Sequence, residues 1–344
     1  MATVLIHPDI PESRPARPLT IHVIADKFRD IVTISDPNQR FYKPIFTIII
    51  SIINILLLIV AFIYNGGINL TTLTLIRMGG QFVPCMKPAA TKIRLMDVVC
   101  TRGEGKEWPL YDKCTYDQFL KYRCYSFLYP YQLYRFLTAM FLHANMLHLI
   151  LNVLNIMIVG FSLETKYGTV KISLVYILSG LTGGLLSAVF QRQSISVGAS
   201  GACYGLVFFY LMDRLQALYT LDRRQILIQI ASLVVPYIII SIFVDIDHFG
   251  HIGGALTGFL IGLMICGCPI PAVQARIDEL RLKQLALLLL IIINLLFILI
   301  FFFTKAPRLS SVNEFQNVQS SIDNILNSYP IKPVRIEVNG TRQD

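Results

Sequence analysis

Residues 197–211 read VGASGACYGLVFFYL, and residues 247–262 read DHFGHIGGALTGFLIG. Both stretches are mostly apolar, yet Ser200 and Tyr204 stand in the first and His251 in the second, among closely spaced glycines. Polar groups within membrane-embedded segments are costly and usually face a protein interior or a water-filled cavity. The small residues allow such groups to meet. Gly198, Ala199, Gly201, Ala202 and Gly205 strip bulk from one helix, while Gly254, Gly258 and Gly262 form two overlapping G-x-x-x-G steps on the other. Two such backbones can approach closely enough for Ser200 to hydrogen-bond His251.

The composition around these stretches agrees with a membrane setting. Of 344 residues, 54% are hydrophobic and 15% charged, with a mean hydropathy of +0.60. A soluble chain usually carries about 25% charged residues. The fold class expected is an all-α polytopic membrane protein. The net charge of +9 is scattered over loops rather than gathered on one face, which argues against nucleic acid as a partner. The opening residues have no apolar core of signal-peptide length, so the first span is expected to act as its own signal anchor.

A spanning helix needs about 20 predominantly apolar residues. Ile45–Tyr64 and Leu285–Thr304 are uninterrupted examples, and five less uniform candidates lie between them: Phe136–Phe161, Ile172–Phe190, Gly198–Met212, Ile226–Val244 and His248–Cys268. The fourth of the seven is short, so it must start below the membrane surface or run on past Met212. Basic residues set the orientation. Lys166, Lys171, Arg214, Arg223, Arg224, Arg276, Arg281 and Lys283 fall on one side, against Arg192 alone in the short loops of the other. This predicts a cytosolic N-terminus and a lumenal or extracellular C-terminus, in the secretory pathway or at the plasma membrane. Two N-x-[ST] sequons, at Asn69 and Asn339, then fall outside, with Asn339 the glycosylation candidate because it stands clear of the bilayer. Cys85, Cys100, Cys114 and Cys124 share the long outer loop, which suggests two disulfides with three possible pairings; a zinc site is the rival, but no C-x-x-C pair appears among them. In the polar tail, apolar positions from Val312 to Ile325 at helical intervals predict a short amphipathic helix.

With this orientation the polar residues share one depth. His143, His148 and Asn152 lie in the outer half of the second span, Ser200 and Tyr204 near the outer end of the fourth, and His251 near that of the sixth. His148 and Asn152, four residues apart, share a helix face. A serine becomes an effective nucleophile when a neutral imidazole takes its proton. An acyl intermediate needs donors aimed at its oxyanion, which His148, Asn152 and the Ser200 backbone N–H can supply. His143 and the polar loop QRQSIS, residues 191–196, are candidates for keeping a water path open.

In these motifs the chain resembles the rhomboid intramembrane serine proteases. Gly198-Ala-Ser200-Gly201 is similar to the family's G-x-S-G nucleophile motif, with the expected tyrosine at Tyr204. His251 to Gly258 is similar to its H-x-x-G-x-x-x-G base helix, His143, His148 and Asn152 to H-x-x-x-x-H-x-x-x-N, and Gly160 to Gly168 to the turn G-x-x-L-E-x-x-x-G. The resemblance covers roughly residues 125–265, with the first span as the remaining core helix. It implies Ser200 as nucleophile, His251 as general base, His148 and Asn152 at the oxyanion, and Tyr204 orienting His251. Where the family often has Trp-Arg, this chain has Tyr134-Arg135; Arg135 is expected to keep a structural role and Tyr134 to anchor at the interface. A seventh helix after a six-helix core resembles many eukaryotic secretory-pathway members. The expected organisation is a cytosolic region 1–44, a catalytic core 45–268 that includes the loop 65–134, a linker and seventh helix 269–304, and a lumenal tail 305–344.

The partners implied are single-pass transmembrane substrates and the lipid bilayer, with no cofactor and no metal. Asp247, four residues before His251, invites a Ser-His-Asp triad, and Asp245 lies nearby, but the resemblance favours a dyad. The glycines of the sixth span read as packing. Two rival functions are a transporter, which should carry polar residues through to the inner side, and a pseudoprotease that binds transmembrane clients without cutting them. Read from sequence, the polar residues stop in the outer half, and both serine and histidine are present.

Overall fold

The structure, a computed structural model, describes residues 41–88, 99–100, 112–113, 124, 128, 130–191, 194–218, 222–243, 247–270, 273 and 278–304. The expectations on residues 1–40, Cys114, Asp245, the tail helix and Asn339 lie outside the described residues, as does the side chain of Cys100.

The first helix, α1 (Ile45–Asn65), is an unbroken apolar run that closes at Gly66, whose φ of 72° reverses the chain. The long loop after it holds α2 (Thr72–Arg77), α3 (Val83–Met86) and a two-residue antiparallel ribbon of β1 (Val99–Cys100) with β2 (Asp112–Lys113). A short α4 (Arg135–Thr138) and a 3-10 turn, Ala139–Phe141, precede the second span. That span is α5 (Met146–Asn155), a π-turn over Ile156–Gly160, and α6 (Phe161–Tyr167). Then follow α7 (Thr169–Phe190), α8 (Ser200–Ala217), α9 (Arg223–Phe243), α10 (His248–Cys266) and α11 (Glu279–Phe303). Helices thus occur at all seven expected positions. Five of the described spans are long and apolar enough to cross a membrane by length and composition: α1, Met146–Tyr167, α7, α10 and α11.

Two boundaries differ from expectation for physical reasons. The second span starts at Met146 rather than Phe136, because Asn145 caps it by accepting the His148 N–H at 2.8 Å, while residues 136–141 turn separately. The fourth, expected as Gly198–Met212, starts at Ser200 and runs on to Ala217, one of the two alternatives its shortness left open, because Asp213 and Arg214 are buried and paired rather than expelled into a loop.

The core sits where α7, α8 and α10 meet, around Ile172, Val175, Tyr176, Ala202, Leu206 and Phe209. The contact between α8 and α10 is backbone on backbone. A Cβ at Gly254 would lie 1.9 Å from the Gly201 carbonyl oxygen, and one at Gly258 would lie 2.0 Å from that of Gly205. The small-residue stripes are therefore packing surfaces, as their spacing predicted.

One buried carboxylate ties the start of the bundle together. Glu164 accepts hydrogen bonds from the Phe46 and Thr47 N–H groups at 2.8 Å each, and from the Thr47 and Thr169 hydroxyls at 2.6 Å each. It therefore meets the unpaired amides of α1, where a negative charge also suits the helix dipole. Arg135 does the equivalent for the long loop. Its fully buried guanidinium donates to the carbonyls of Ile76 (2.6 Å), Gly80 (2.7 Å) and Cys124 (3.2 Å) and to Gln132 Oε1 (2.6 Å). Among the three pairings open from sequence, the one formed at Cys85 is with Cys124, beside this arginine.

Candidate active site

The chain reaches Ser200 through an extended turn. Gly198 has φ 129°, a conformation that side chains rarely adopt, and its N–H donates to the Ala139 carbonyl at 2.9 Å. Ser200 is then the first residue of α8, so its backbone N–H belongs to the opening turn that has no intrahelical acceptor. The backbone contact of α8 with α10 brings His251 across. Ser200 Oγ and His251 Nε2 are 2.8 Å apart. The Tyr204 ring, one turn further along α8, stacks on the His251 ring with centroids 4.2 Å apart and planes 16° from parallel. That stack fixes the imidazole plane so that Nε2 faces Ser200.

His251 Nδ1 has no hydrogen-bond partner among the described residues. Asp247 does not supply one. Its carboxylate caps α10 by accepting the Gly250 N–H at 2.8 Å, and it accepts the Ser196 hydroxyl at 2.6 Å. The geometry pairs Ser200 with His251 and leaves Asp247 as a helix cap.

His148 and Asn152 both sit on α5. The His148 ring lies against the backbone just before Ser200, so closely that a Cβ on Gly198 would come within 2.7 Å of its Nε2. Asn152 is buried and spends one amide hydrogen on the His148 carbonyl at 2.9 Å, which leaves the second free to donate elsewhere. The Cys203 thiol, 3.7 Å from the Asn152 carbonyl oxygen, joins the two helices at this level. His143 is on no helix. It is buried in the loop before α5, edge-on to His148 with ring centroids 5.2 Å apart. Beside Ser200 is a cavity of about 30 Å³, bordered by Gln81, Ser196, Gly198, Asp247 and Gly250. That is room for at least one water molecule, which needs about 10–15 Å³. Ser196 belongs to the polar loop expected to hold water, and Gln81 bridges it to the long loop through paired backbone hydrogen bonds of 3.0 and 2.9 Å.

Polar residues do not stop in the half of the bundle that holds Ser200, which corrects the expectation from sequence. At the other end the Asp213 carboxylate accepts from Lys166 Nζ (2.5 Å), the Tyr167 hydroxyl and the Arg214 guanidinium. Arg214 also donates to Gln229 on α9 at 3.2 Å. These groups pair with one another and with the helices they join. The Asp-Arg pair at the end of an apolar run was the available signal; its partner 47 residues upstream was not visible.

Residues 130–268 match the family model described as the Rhomboid domain. The chain is 39% identical over 134 residues to RHOMBOID-like protein 6, mitochondrial, of Arabidopsis thaliana, covering 38% of this chain and 43% of that protein. It is 36% identical over 140 residues to RHOMBOID-like protein 2 of the same plant, covering 40% and 44%. It is 38% identical over 138 residues to Rhomboid-like protease 3 of Toxoplasma gondii, covering 37% and 50%. The matched stretch thus spans half or less of each of these relatives' length.

Proposed function

The chain belongs to the rhomboid family through residues 130–268, and on that premise we propose that it is an intramembrane serine endopeptidase acting on single-pass transmembrane proteins. The observation that carries this reading is the 2.8 Å approach of Ser200 Oγ to His251 Nε2 under the stacked ring of Tyr204. The related Toxoplasma protein is itself called a protease.

In the proposed reaction, His251 takes the Ser200 proton as the hydroxyl oxygen attacks the scissile carbonyl. The Ser200 N–H, His148 and the free amide hydrogen of Asn152 meet the oxyanion. His251 then gives its proton to the leaving amine, which departs with its half of the substrate. Water enters from the cavity beside Ser200, His251 deprotonates it, and attack on the ester returns the free serine. No step calls for a cofactor or a metal.

The organisation that goes with this activity is the one expected from sequence: a cytosolic region 1–44, a core 45–268, a linker and seventh helix 269–304, and a tail 305–344. The basic residues support a cytosolic N-terminus. The Cys85–Cys124 disulfide supports an oxidising compartment for the loop 65–134, hence the secretory pathway or the plasma membrane. The word mitochondrial in one relative's name makes the compartment a point to test directly, by imaging the tagged chain.

Labelling with a fluorophosphonate, together with cleavage of a single-pass substrate in proteoliposomes, tests the function. Wild type should label and cleave, and Ser200→Ala should do neither while remaining folded. Cleavage retained in Ser200→Ala would remove the assignment, and a folded but inert wild type would favour a client-binding pseudoprotease. Product termini should fall in the outer third of the substrate span. Gly or Ala near the cut should favour the unwinding that exposes the bond there, so replacing them with Leu should slow cleavage several-fold.

A further inference from the structure

The seventh helix, α11, lies beyond the residues that match the family domain. It packs along α10 and α7, with Ala286 buried and Leu290 against the core, and makes specific contacts at three further levels. In its middle, Asn294 Oδ1 accepts from the Thr182 hydroxyl of α7 at 2.9 Å, which sets its register. Nearer the Ser200 end, its Phe297 meets Phe190 edge-on at 6.3 Å, and its Phe301 meets Phe136 edge-on at 5.3 Å. At its last turn, Lys87 Nζ donates to the Thr304 carbonyl at 3.0 Å and stands 4.1 Å over the Phe301 ring. A cation at a helix C-terminus suits the helix dipole there. The rest of α11 is largely exposed apolar surface.

The ring contacts continue into the dyad's supports. Phe190 is the last residue of α7, from which the chain runs to Ser200. Its ring stacks on Phe249 with centroids 4.7 Å apart and planes 14° from parallel. Phe249 lies in the first turn of α10, two residues before His251. At about 100° per residue the two side chains leave the helix on roughly opposite sides. A ring held against Phe249 therefore presses His251 toward Ser200. The second contact works on the serine side, since Phe136 sits on α4, and the turn after it supplies the Ala139 carbonyl that accepts the Gly198 N–H at 2.9 Å.

We propose that α11 is a positioning element for the dyad, acting on His251 through the ring series Phe297–Phe190–Phe249. This rests on the protease reading given above. Phe297, Phe190 and Phe249 touch no reacting atom. Their effect is on the angle of the first turn of α10, where a displacement of about 1 Å is enough to cost large factors in rate. Aromatic rings near a membrane boundary also serve as plain anchors, and anchoring alone would leave the chemistry of the inserted enzyme untouched.

The full chain in proteoliposomes separates the two. Phe297→Ala should lower kcat about tenfold with KM within about twofold of wild type, and should slow fluorophosphonate labelling of Ser200 by a similar factor. Phe297→Tyr, which keeps the ring, should restore both. Leu295→Ala, on the exposed face of the same helix, should behave as wild type. If Phe297→Ala does not fold, Phe249→Leu, which removes the stack but keeps much of the volume, takes the same measurements. Unchanged kcat and labelling, or a loss confined to KM or to melting temperature, would overturn the inference. A wild type that neither labels nor cleaves would instead bring down the protease reading, whereas a labelled wild type with an equally reactive Phe297→Ala would bring down this inference alone.

Discussion

Gly254 faces the carbonyl of Gly201 with no room for even one added carbon: a Cβ there would stand 1.9 Å from the oxygen. The atom met is backbone, so no side-chain rotation can relieve the overlap. The separation of α8 and α10, and with it the distance from Ser200 to His251, is set by this pair and by Gly258 on Gly205.

Gly254→Ala should therefore force the two helices apart. Overpacking of this kind costs about 1–3 kcal/mol, and the melting temperature should fall accordingly. Labelling of Ser200 should fall further than stability does, because the dyad opens with the helices. Wild-type labelling in a folded Gly254→Ala chain would contradict the packing account.

The oxyanion assignment predicts a particular split in kinetics. His148→Ala and Asn152→Ala should lower kcat by about 2.7–4 kcal/mol worth of rate each, with little change in KM, since the donors are needed mainly once charge develops. An increase in KM alone would show that these residues hold substrate instead.

Asp247 gives a direct test of dyad against triad. Asparagine caps helices about as well as aspartate, so Asp247→Asn should keep kcat within about twofold, whereas loss of a triad carboxylate reduces rate by about 10⁴. Asp247→Ala should cost about 1 kcal/mol of stability through loss of the cap. Steady-state kinetics and thermal melts of the two variants decide between the roles.

Glu164→Gln should be severe despite its small change in shape. The carboxylate accepts from four donors, and an amide in its place would turn its own N–H groups toward some of them. Hydrogen bonds to a charged group contribute about 1.5–3 kcal/mol each, and a buried donor left without its acceptor costs about 1–3 kcal/mol. The variant should melt well below wild type, and Thr169→Val, which removes one donor, should be milder.

Reduction should loosen the long loop without touching the dyad. A disulfide closing a loop of this size contributes about 2–4 kcal/mol. Cys85→Ser with Cys124→Ser should lower the melting temperature, and peptide mapping without reductant should recover residues 85 and 124 as a linked pair. An unlinked pair in protein taken from the membrane would count against the extracytoplasmic assignment of the loop.

Most of the helices were legible because membrane spans are written as long apolar runs, five of them long and apolar enough by themselves among the described residues, and the Ser200–His251 encounter was legible because only small residues let two backbones touch. Other features depend on partners too distant in sequence for any periodicity to reveal. Residues 136–142 are as apolar as a span, and nothing in their hydropathy marks the turn that ends at Asn145. Asp213 and Arg214 resemble ordinary flanking charges until Lys166 and Tyr167 arrive from another helix. The spacing of four cysteines carries no distances, so the partner of Cys85 emerged only with the fold. Asp247 stands at the right interval for a triad, and only its contacts with Gly250 and Ser196 identify it as a cap.

The bond from the Thr47 N–H to Glu164 spans 117 residues of chain. On the ribosome, α1 is made first, and the carboxylate that completes its opening turn does not exist until the second span has been synthesised almost to its end. Until then those amides lack this acceptor and need water or another polar group in its place. The arrival of Glu164 draws the start of α1 into register with α6 and α7. A nascent chain halted anywhere before residue 164 therefore lacks the side chain that receives the Phe46 and Thr47 N–H groups, and the start of its first helix is left without that partner.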